Sequence, residues 1–181
     1  MSVEDEAAER RARFEDLVPG LLEPLRRFLA RRTDPATAED ALADTLLVCW
    51  RRLEDLPEDP LPWAYGVARN CLANAERSAR RQQRVAAKIS AVDPPAAATD
   101  GPEPPDTTVG EALSALRPND AELLRLWAWE QLSPAEIATV LDITANAASI
   151  RLHRARGKLK DQLRKMGPVS GHEESREGRR P

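Results

Sequence analysis

The chain has 181 residues, enough for one large domain or two small ones. Hydrophobic residues make up 41% and charged residues 31%, which fits a soluble folded chain and excludes wholesale disorder. Aromatics are only 4%, and runs rich in Val, Ile, Tyr and Phe are almost absent, which argues against a sandwich, a barrel or a Rossmann-type sheet. Ala, Leu, Arg and Glu dominate, and these good helix formers predict an all-α protein. No apolar run reaches the ~18 residues of a membrane span, so no membrane association is expected. The start, MSVEDEAAERR, is charged and lacks the apolar stretch of a signal peptide, so the expected compartment is the cytoplasm. Two cysteines, Cys49 and Cys71, without CxxC spacing, give neither a disulfide framework nor a zinc site.

Residues 7–32 read as a helical stretch, interrupted or capped near Pro19, Gly20 and Pro24, with Leu21, Leu22, Leu25, Phe28 and Leu29 at helical spacing. Asp34 and Pro35 give a helix start, Asp as N-cap and Pro at the first helical position. That helix runs to about Leu53, with an apolar stripe of Ala38, Leu42, Thr45, Leu46, Cys49, Trp50 and Leu53. The segment Leu56–Pro62 breaks the chain. A third helix then runs from about Trp63 to Ser90, with Ala64, Val67, Ala68, Cys71, Leu72 and Ala75 inward and Trp63 as a core aromatic. Its second half is polar and basic. Residues 91–109 hold five Pro, three Asp and no aromatic; nothing there can offset the entropy of ordering by burial, so they read as a linker.

Beyond the linker, Glu111–Leu116 reads as a short helix ended by Arg117-Pro118. Asn119 or Asp120 is expected to cap the next, which packs Leu123, Leu124, Leu126 and Trp127. Leu132–Arg156 reads as helix-turn-helix. Ser133 is an N-cap, Pro134 takes the first helical position and Glu136 completes a capping box. Asp142-Ile143-Thr144 is a tight turn with a buried Ile, and Thr144 caps a second helix with Ala148, Leu152, Ala155 and Leu159 inward. The tail from Gly167 is polar and expected to be disordered.

The formal net charge of −3 conceals two basic blocks in an otherwise acidic chain. Residues 66–90 set six cations against Glu76 alone, and residues 145–166 set seven against Asp161 alone. Each block ends a helical unit, a pattern that favours two contacts with a nucleic-acid backbone over two solvated faces. The basic outer face of the second helix, with Arg151, Arg154 and Arg156, suits a recognition helix in a major groove. No Ser-His-Asp set, Gly-rich phosphate loop or metal-ligand cluster occurs, which argues against an enzyme, a cofactor or a metal site. His153 reads as a polar surface or phosphate contact, His172 as inert, and the cysteines as small core hydrophobes.

The segments Ala38–Trp50 (AEDALADTLLVCW) and Trp63–Asn70 (WAYGVARN), the Pro-rich linker and LSPAEIATVLDIT…RLHRAR, in this order, resemble an extracytoplasmic-function sigma factor. The resemblance covers about residues 10–90 and 110–165. It implies an acidic extension over 1–12, then region two, a three- or four-helix bundle, over 13–90. The linker over 91–109 follows, then region four over 110–166 and a disordered tail over 167–181. It implies a transcription initiation factor with core RNA polymerase, promoter DNA and an anti-sigma factor as partners. Asp40, Asp44 and Leu47 match the surface that docks on the polymerase clamp, although Ala43 stands where the family usually has Gln. Arg69, Asn70, Asn74 and Arg77 match the face that meets the melted minus-ten element. Asn70 has the amide to read a flipped base, while Arg77, Arg80 and Arg81 suit phosphates. The loop Glu54–Pro62 matches the family's pocket-forming loop. In region four, Asn146-Ala147-Ala148-Ser149 replaces the usual Gly-Thr-Val-Lys-like run. That leaves Asn146, Ser149 and Ile150 as minus-thirty-five base readers and Arg151 and Arg154 for phosphates.

Two further readings stay open on the sequence. One is a stand-alone regulator whose N-terminal helices dimerise or bind an effector; the other is a sequestering adaptor that keeps the helix-turn-helix only as a contact surface. The basic half of helix 63–90 with Asn70 distinguishes them, because a dimerisation domain has no need of it. The linker also predicts that the two units move independently or meet in a weak autoinhibitory contact.

Overall fold

The structure, a computed structural model, describes residues 3–89 and 107–166. Among these are seven α-helices and one short 3-10 turn, with no strand. Helices α1 (Val3–Ala30), α2 (Pro35–Arg51) and α3 (Pro60–Ile89) form the first unit, with the 3-10 turn at Leu53–Asp55. Helices α4 (Thr107–Ser114), α5 (Pro118–Ala128), α6 (Pro134–Leu141) and α7 (Ala145–Met166) form the second. Most of the stretch read as linker lies outside the described residues, as does the tail; α4 begins at Thr107, inside that stretch.

Helix α1 runs unbroken through Pro19 and Pro24, contrary to the expected interruption. Each proline forfeits one backbone bond, but Leu21, Leu25, Phe28 and Leu29 pack on the core and hold the helix together. Asp34 caps α2 as expected, its carboxylate accepting from the Thr37 N–H at 3.1 Å. Those hydrogen bonds hold the Asp34 carboxyl below its ordinary value of 3.8. The inner face of α2 buries Ala38, Ala41, Leu42, Thr45 and Cys49. The Thr45 hydroxyl is satisfied by donating to the Ala41 carbonyl at 2.6 Å. On α3 the buried residues are Pro62, Ala64, Tyr65, Ala68 and Leu72; Tyr65 is not among the inward residues expected, and Trp63 is only partly buried against the core.

In the second unit the capping box forms as read, Ser133 and Glu136 each accepting from the other's backbone N–H. The turn is closed by Asp142 in the left-handed conformation, φ 52°, and Ile143 is partly buried against the core. Thr144 Oγ1 accepts from the Ala147 N–H at 3.2 Å and caps α7. Two expectations fail. Helix α5 starts at Pro118 with Arg117 as N-cap, not Asn119 or Asp120, because proline's fixed φ and missing N–H suit the first helical position. Trp127 is 39% exposed rather than packed, its ring covered by the Arg156 guanidinium 4.6 Å away.

The two units touch. Helix α3 packs on α6, and Gly66 permits the approach: a Cβ there would sit 3.3 Å from the Val140 carbonyl oxygen. Beside this crossing, Arg32 pairs with Glu130 at 3.1 Å and Glu122 at 3.2 Å, and Arg31 pairs with Glu130 at 3.1 Å. The Arg32 and Glu130 side chains are only 9% and 4% exposed. Arg32 also lies over the Phe28 ring at 3.6 Å. Tyr65 is buried next to these groups, tilted against Phe28 with ring centroids 4.9 Å apart. Burial, and secondarily the Glu130 charge, push its hydroxyl up to about 12. The seam between the units is therefore an ion-paired contact around a tight helix crossing, continuous with the apolar core: Ala64, Tyr65 and Ala68 of α3 and Ile137, Ala138 and Val140 of α6 belong to one buried cluster.

Candidate polymerase and nucleic-acid interfaces

Three exposed surfaces carry the residues singled out from the sequence. On α2, Asp40, Ala43, Asp44 and Leu47 are all exposed, Leu47 to 44%. They lie on the side of the helix left over once Ala38, Ala41, Leu42, Thr45 and Cys49 have turned inward. The surface offers two carboxylates one turn apart with an apolar side chain beside them.

On α3, Asn70, Asn74, Arg77, Arg80 and Arg81 are exposed and Arg69 is half-buried. Several of these groups already have local partners. Arg77 donates to the Asn74 side-chain oxygen at 2.8 Å and to the Ala73 carbonyl at 3.1 Å. Arg80 donates to Glu76 at 2.9 Å. Such exposed pairs are weak and exchange readily for a phosphate. The loop expected over Glu54–Pro62 is shorter than read: Glu54 and Asp55 belong to the 3-10 turn, and α3 begins at Pro60. Glu54 also forms an ion pair with Arg13 of α1.

On α7, Asn146, Ser149, Ile150, Arg151 and Arg154 are exposed over the first turns, with Ile150 44% exposed. Ala148, Leu152 and Ala155 face inward and fix which side is presented. His153 is exposed beside them, and His172 lies outside the described residues.

The structure does one thing the linear reading did not anticipate. Arg69 of the first basic block and Arg151 and Arg154 of the second line one cleft between the units, of about 710 Å³. Arg117 and Lys158 join them there. Lys158 belongs to a basic run visible in sequence, but Arg117 had read only as part of a helix stop. Asn70, one residue from Arg69, does not line the cleft, and neither do Asp40, Asp44 and Leu47.

Cys49 is buried and Cys71 half-buried, both without a disulfide. Burial pushes the Cys49 thiol up to about 11 and raises Cys71 as well. Both behave as hydrophobes rather than nucleophiles. Among the described residues, no group of His, Cys, Asp and Glu is arranged to hold a metal ion, and no helix is long and apolar enough to cross a membrane.

Comparison with known proteins agrees with this geometry. The family described as "Sigma-70, region 4" matches residues 107–159, which span α4 to α7 as far as Leu159. The RNA polymerase sigma factor CarQ of Myxococcus xanthus is 31% identical over 154 residues, covering 83% of this chain and 88% of CarQ. The ECF RNA polymerase sigma factor SigL of Mycobacterium tuberculosis is 29% identical over 147 residues, 78% of this chain and 83% of SigL. Among solved structures, the sigma factor RpoE from Bartonella quintana, in complex with the anti-sigma factor NepR, shares the fold. Its TM-score is 0.60 at 19% identity, covering 83% of this chain and 96% of that one. CnrH, in complex with the cytosolic domain of CnrY, gives 0.56 at 22% identity, covering 84% and 88%. The match to CarQ is too long to fall within either unit alone. The chain belongs to the extracytoplasmic-function sigma factors of RNA polymerase, and its function is to initiate transcription.

Proposed function

We propose that the exposed face of α2 docks on core RNA polymerase, that α3 captures the melted minus-ten element and that α7 reads the minus-thirty-five element. The observation that carries this is the division of α2. Five of its residues are buried on one side, while Asp40, Asp44 and Leu47 stay exposed on the other, and neither carboxylate has a hydrogen-bond or ion-pair partner among the described residues. Carboxylates around an exposed apolar side chain suit a basic partner helix with an apolar anchor. Asn70, exposed and without a side-chain partner among the described residues, has a free amide for the edge of an unstacked base. Arg77, Arg80 and Arg81 neutralise the strand on either side. On α7, Asn146, Ser149 and Ile150 meet base edges, while Arg151 and Arg154 hold phosphates and set the register.

In this reading region two covers residues 13–90 and region four residues 110–166. The factor acts in the cytoplasm as a binding and positioning subunit with no reaction of its own. The two promoter elements lie apart along the DNA, so the α3–α6 seam opens when the factor joins polymerase. RpoE and CnrH are each complexed with a named protein partner. By that likeness an anti-sigma factor holds this chain off polymerase.

Run-off transcription with core polymerase, on duplex and pre-melted templates, tests the assignment. Asp40→Lys with Asp44→Lys should abolish co-purification with core enzyme and leave the helical content unchanged. Asn70→Ala should lower transcription from duplex templates more than duplex binding. Undiminished polymerase binding by the double variant, or undiminished opening by Asn70→Ala, refutes the corresponding role.

A further inference from the structure

The cleft between the units holds more positive charge than the protein balances. Its volume of about 710 Å³ falls within the ~300–1,000 Å³ of small-molecule sites. Arg69 comes from α3, Arg117 from the N-cap of α5, and Arg151 and Arg154 from α7. The two carboxylates in the cleft are engaged with other groups: Asp120 pairs with Lys158 at 2.5 Å and Glu122 with Arg32 at 3.2 Å. None of the four arginines has a side-chain partner among the described residues.

Closing the units thus places Arg69 on the wall of a partly enclosed cleft that three arginines of the other unit also line. Like charges there repel more strongly than in open water. The Arg32 pairs and the Gly66 crossing hold the units together against that repulsion, and a multivalent anion in the cleft would turn it into attraction. Four guanidiniums from three elements form a chelating set for phosphate oxygens, each able to donate two parallel hydrogen bonds. The first turn of α5, Pro118 and Asn119, adds the positive end of an 11-residue helix. Leu141 and Ile143 supply an apolar wall suited to a flat base.

We propose that this cleft binds a nucleoside polyphosphate, with the phosphate chain on Arg69, Arg117, Arg151 and Arg154 and the base against Leu141 and Ile143. The walls come from both units, so the ligand binds the closed form and stabilises it by mass action. Arg69, Arg151 and Arg154 are also the proposed promoter contacts, so ligand and promoter exclude each other. That regulatory consequence rests on the functional reading above; the binding does not.

Calorimetric titration of the full chain with ATP and with inorganic tripolyphosphate tests the site. One saturable site per chain is expected, tighter for ATP than for tripolyphosphate. Arg117→Ala should weaken both about tenfold. It should leave duplex DNA binding unchanged, since Arg117 is not among the proposed DNA contacts. Glu130→Ala, which loosens the seam from outside the cleft, should weaken ATP binding too. Arg117 is exposed, so its removal should leave the circular dichroism unaltered. Non-saturating binding, or an Arg117→Ala variant that titrates like the parent, overturns the site. Equal affinity for the two probes overturns the nucleoside assignment, and equal affinity for a poly-glutamate peptide overturns it in favour of an acidic protein segment. ATP binding that needs Arg117 in a chain unable to support transcription would uphold the site while refuting the polymerase reading.

Discussion

The interior of the first unit and the seam between the units share one apolar cluster but differ in how much charge pairing they add to it. Within the first unit, Leu21, Leu25, Phe28 and Leu29 of α1 meet Ala41, Leu42 and Cys49 of α2 and Ala64, Ala68 and Leu72 of α3, almost entirely through carbon. Across the seam, Arg31 and Arg32 meet Glu122 and Glu130 through three ion pairs, next to a backbone approach at Gly66. Apolar burial is non-directional and holds whatever the partner. A buried ion pair gives little net stability, because desolvating both charges offsets most of their attraction, yet it is strongly penalised once a partner is lost. The unit interior is therefore built to persist. The seam adds charge pairing to that apolar contact, so opening it both rehydrates the charges and exposes part of the shared cluster.

The largest expected effect tests the first half of that contrast. Leu25 is fully buried, and Leu25→Ala should cost about 2–5 kcal/mol of unfolding free energy in urea titration. A loss under ~1 kcal/mol would mean that the α1 interior repacks freely. At the seam, Glu130→Ala leaves Arg32, already buried with an unsatisfied Nε, with Glu122 as its one remaining ion-pair partner among the described residues. Removing one partner of a buried pair ordinarily costs about 3–5 kcal/mol. Here Glu122 retains part of the pairing and the chain can offset part of the remaining cost by opening, so the visible result should be a shift toward separated units with each still folded. Small-angle scattering should show an increased radius with unchanged helical content. Loss of helix instead would show that the seam is an integral part of one core. Gly66→Leu should open the seam by a steric route, since even a Cβ is already crowded by the Val140 carbonyl.

Smaller effects belong to the helix-turn-helix alone. Ser133→Ala removes the cap of α6 and should cost about 1 kcal/mol, read as a lower urea midpoint for the second unit. The same box carries a pH signature. Hydrogen bonds from Ser133 hold the Glu136 carboxyl below its ordinary 4.5. Its contribution is therefore complete above about 4.5 and is lost as the pH falls through the lower folded value. In Ser133→Ala that part of the acid destabilisation should be reduced, as urea titrations between pH 6 and pH 3 would reveal. Asp142→Gly is the mildest test. It relieves a left-handed backbone but adds freedom to the unfolded chain, so the net change should stay within about 1 kcal/mol.

Much of the local structure was legible in the sequence because it depends on near neighbours. Asp34-Pro35 and Ser133-Pro134 with Glu136 announce their helices through groups three residues apart, and both caps form as read. The Asn119 or Asp120 cap was misplaced because Pro118 overrides side-chain preference at the adjoining position. The exposed faces of α2 and α7 follow from the same helical period that selects their buried stripes. Two residues escaped that logic. Trp127 looked like core but is stacked beneath Arg156 at the surface, and Tyr65 is buried because Phe28 and the second unit happen to cover it.

The sequence by itself determined most of the helices, the Asp34, Ser133 and Thr144 caps, the acidic face of α2, the two basic blocks and the family, because each is written in periodicity, composition or contiguous motif. Only the tertiary structure decided that the two basic blocks share a cleft, that Arg117 joins them and that Arg32 finds Glu122 and Glu130 about 90 residues away in sequence. Contacts at that separation depend on how two helical surfaces fit and on which charges can be desolvated together. Those properties belong to the assembled surfaces, and no window of sequence contains them.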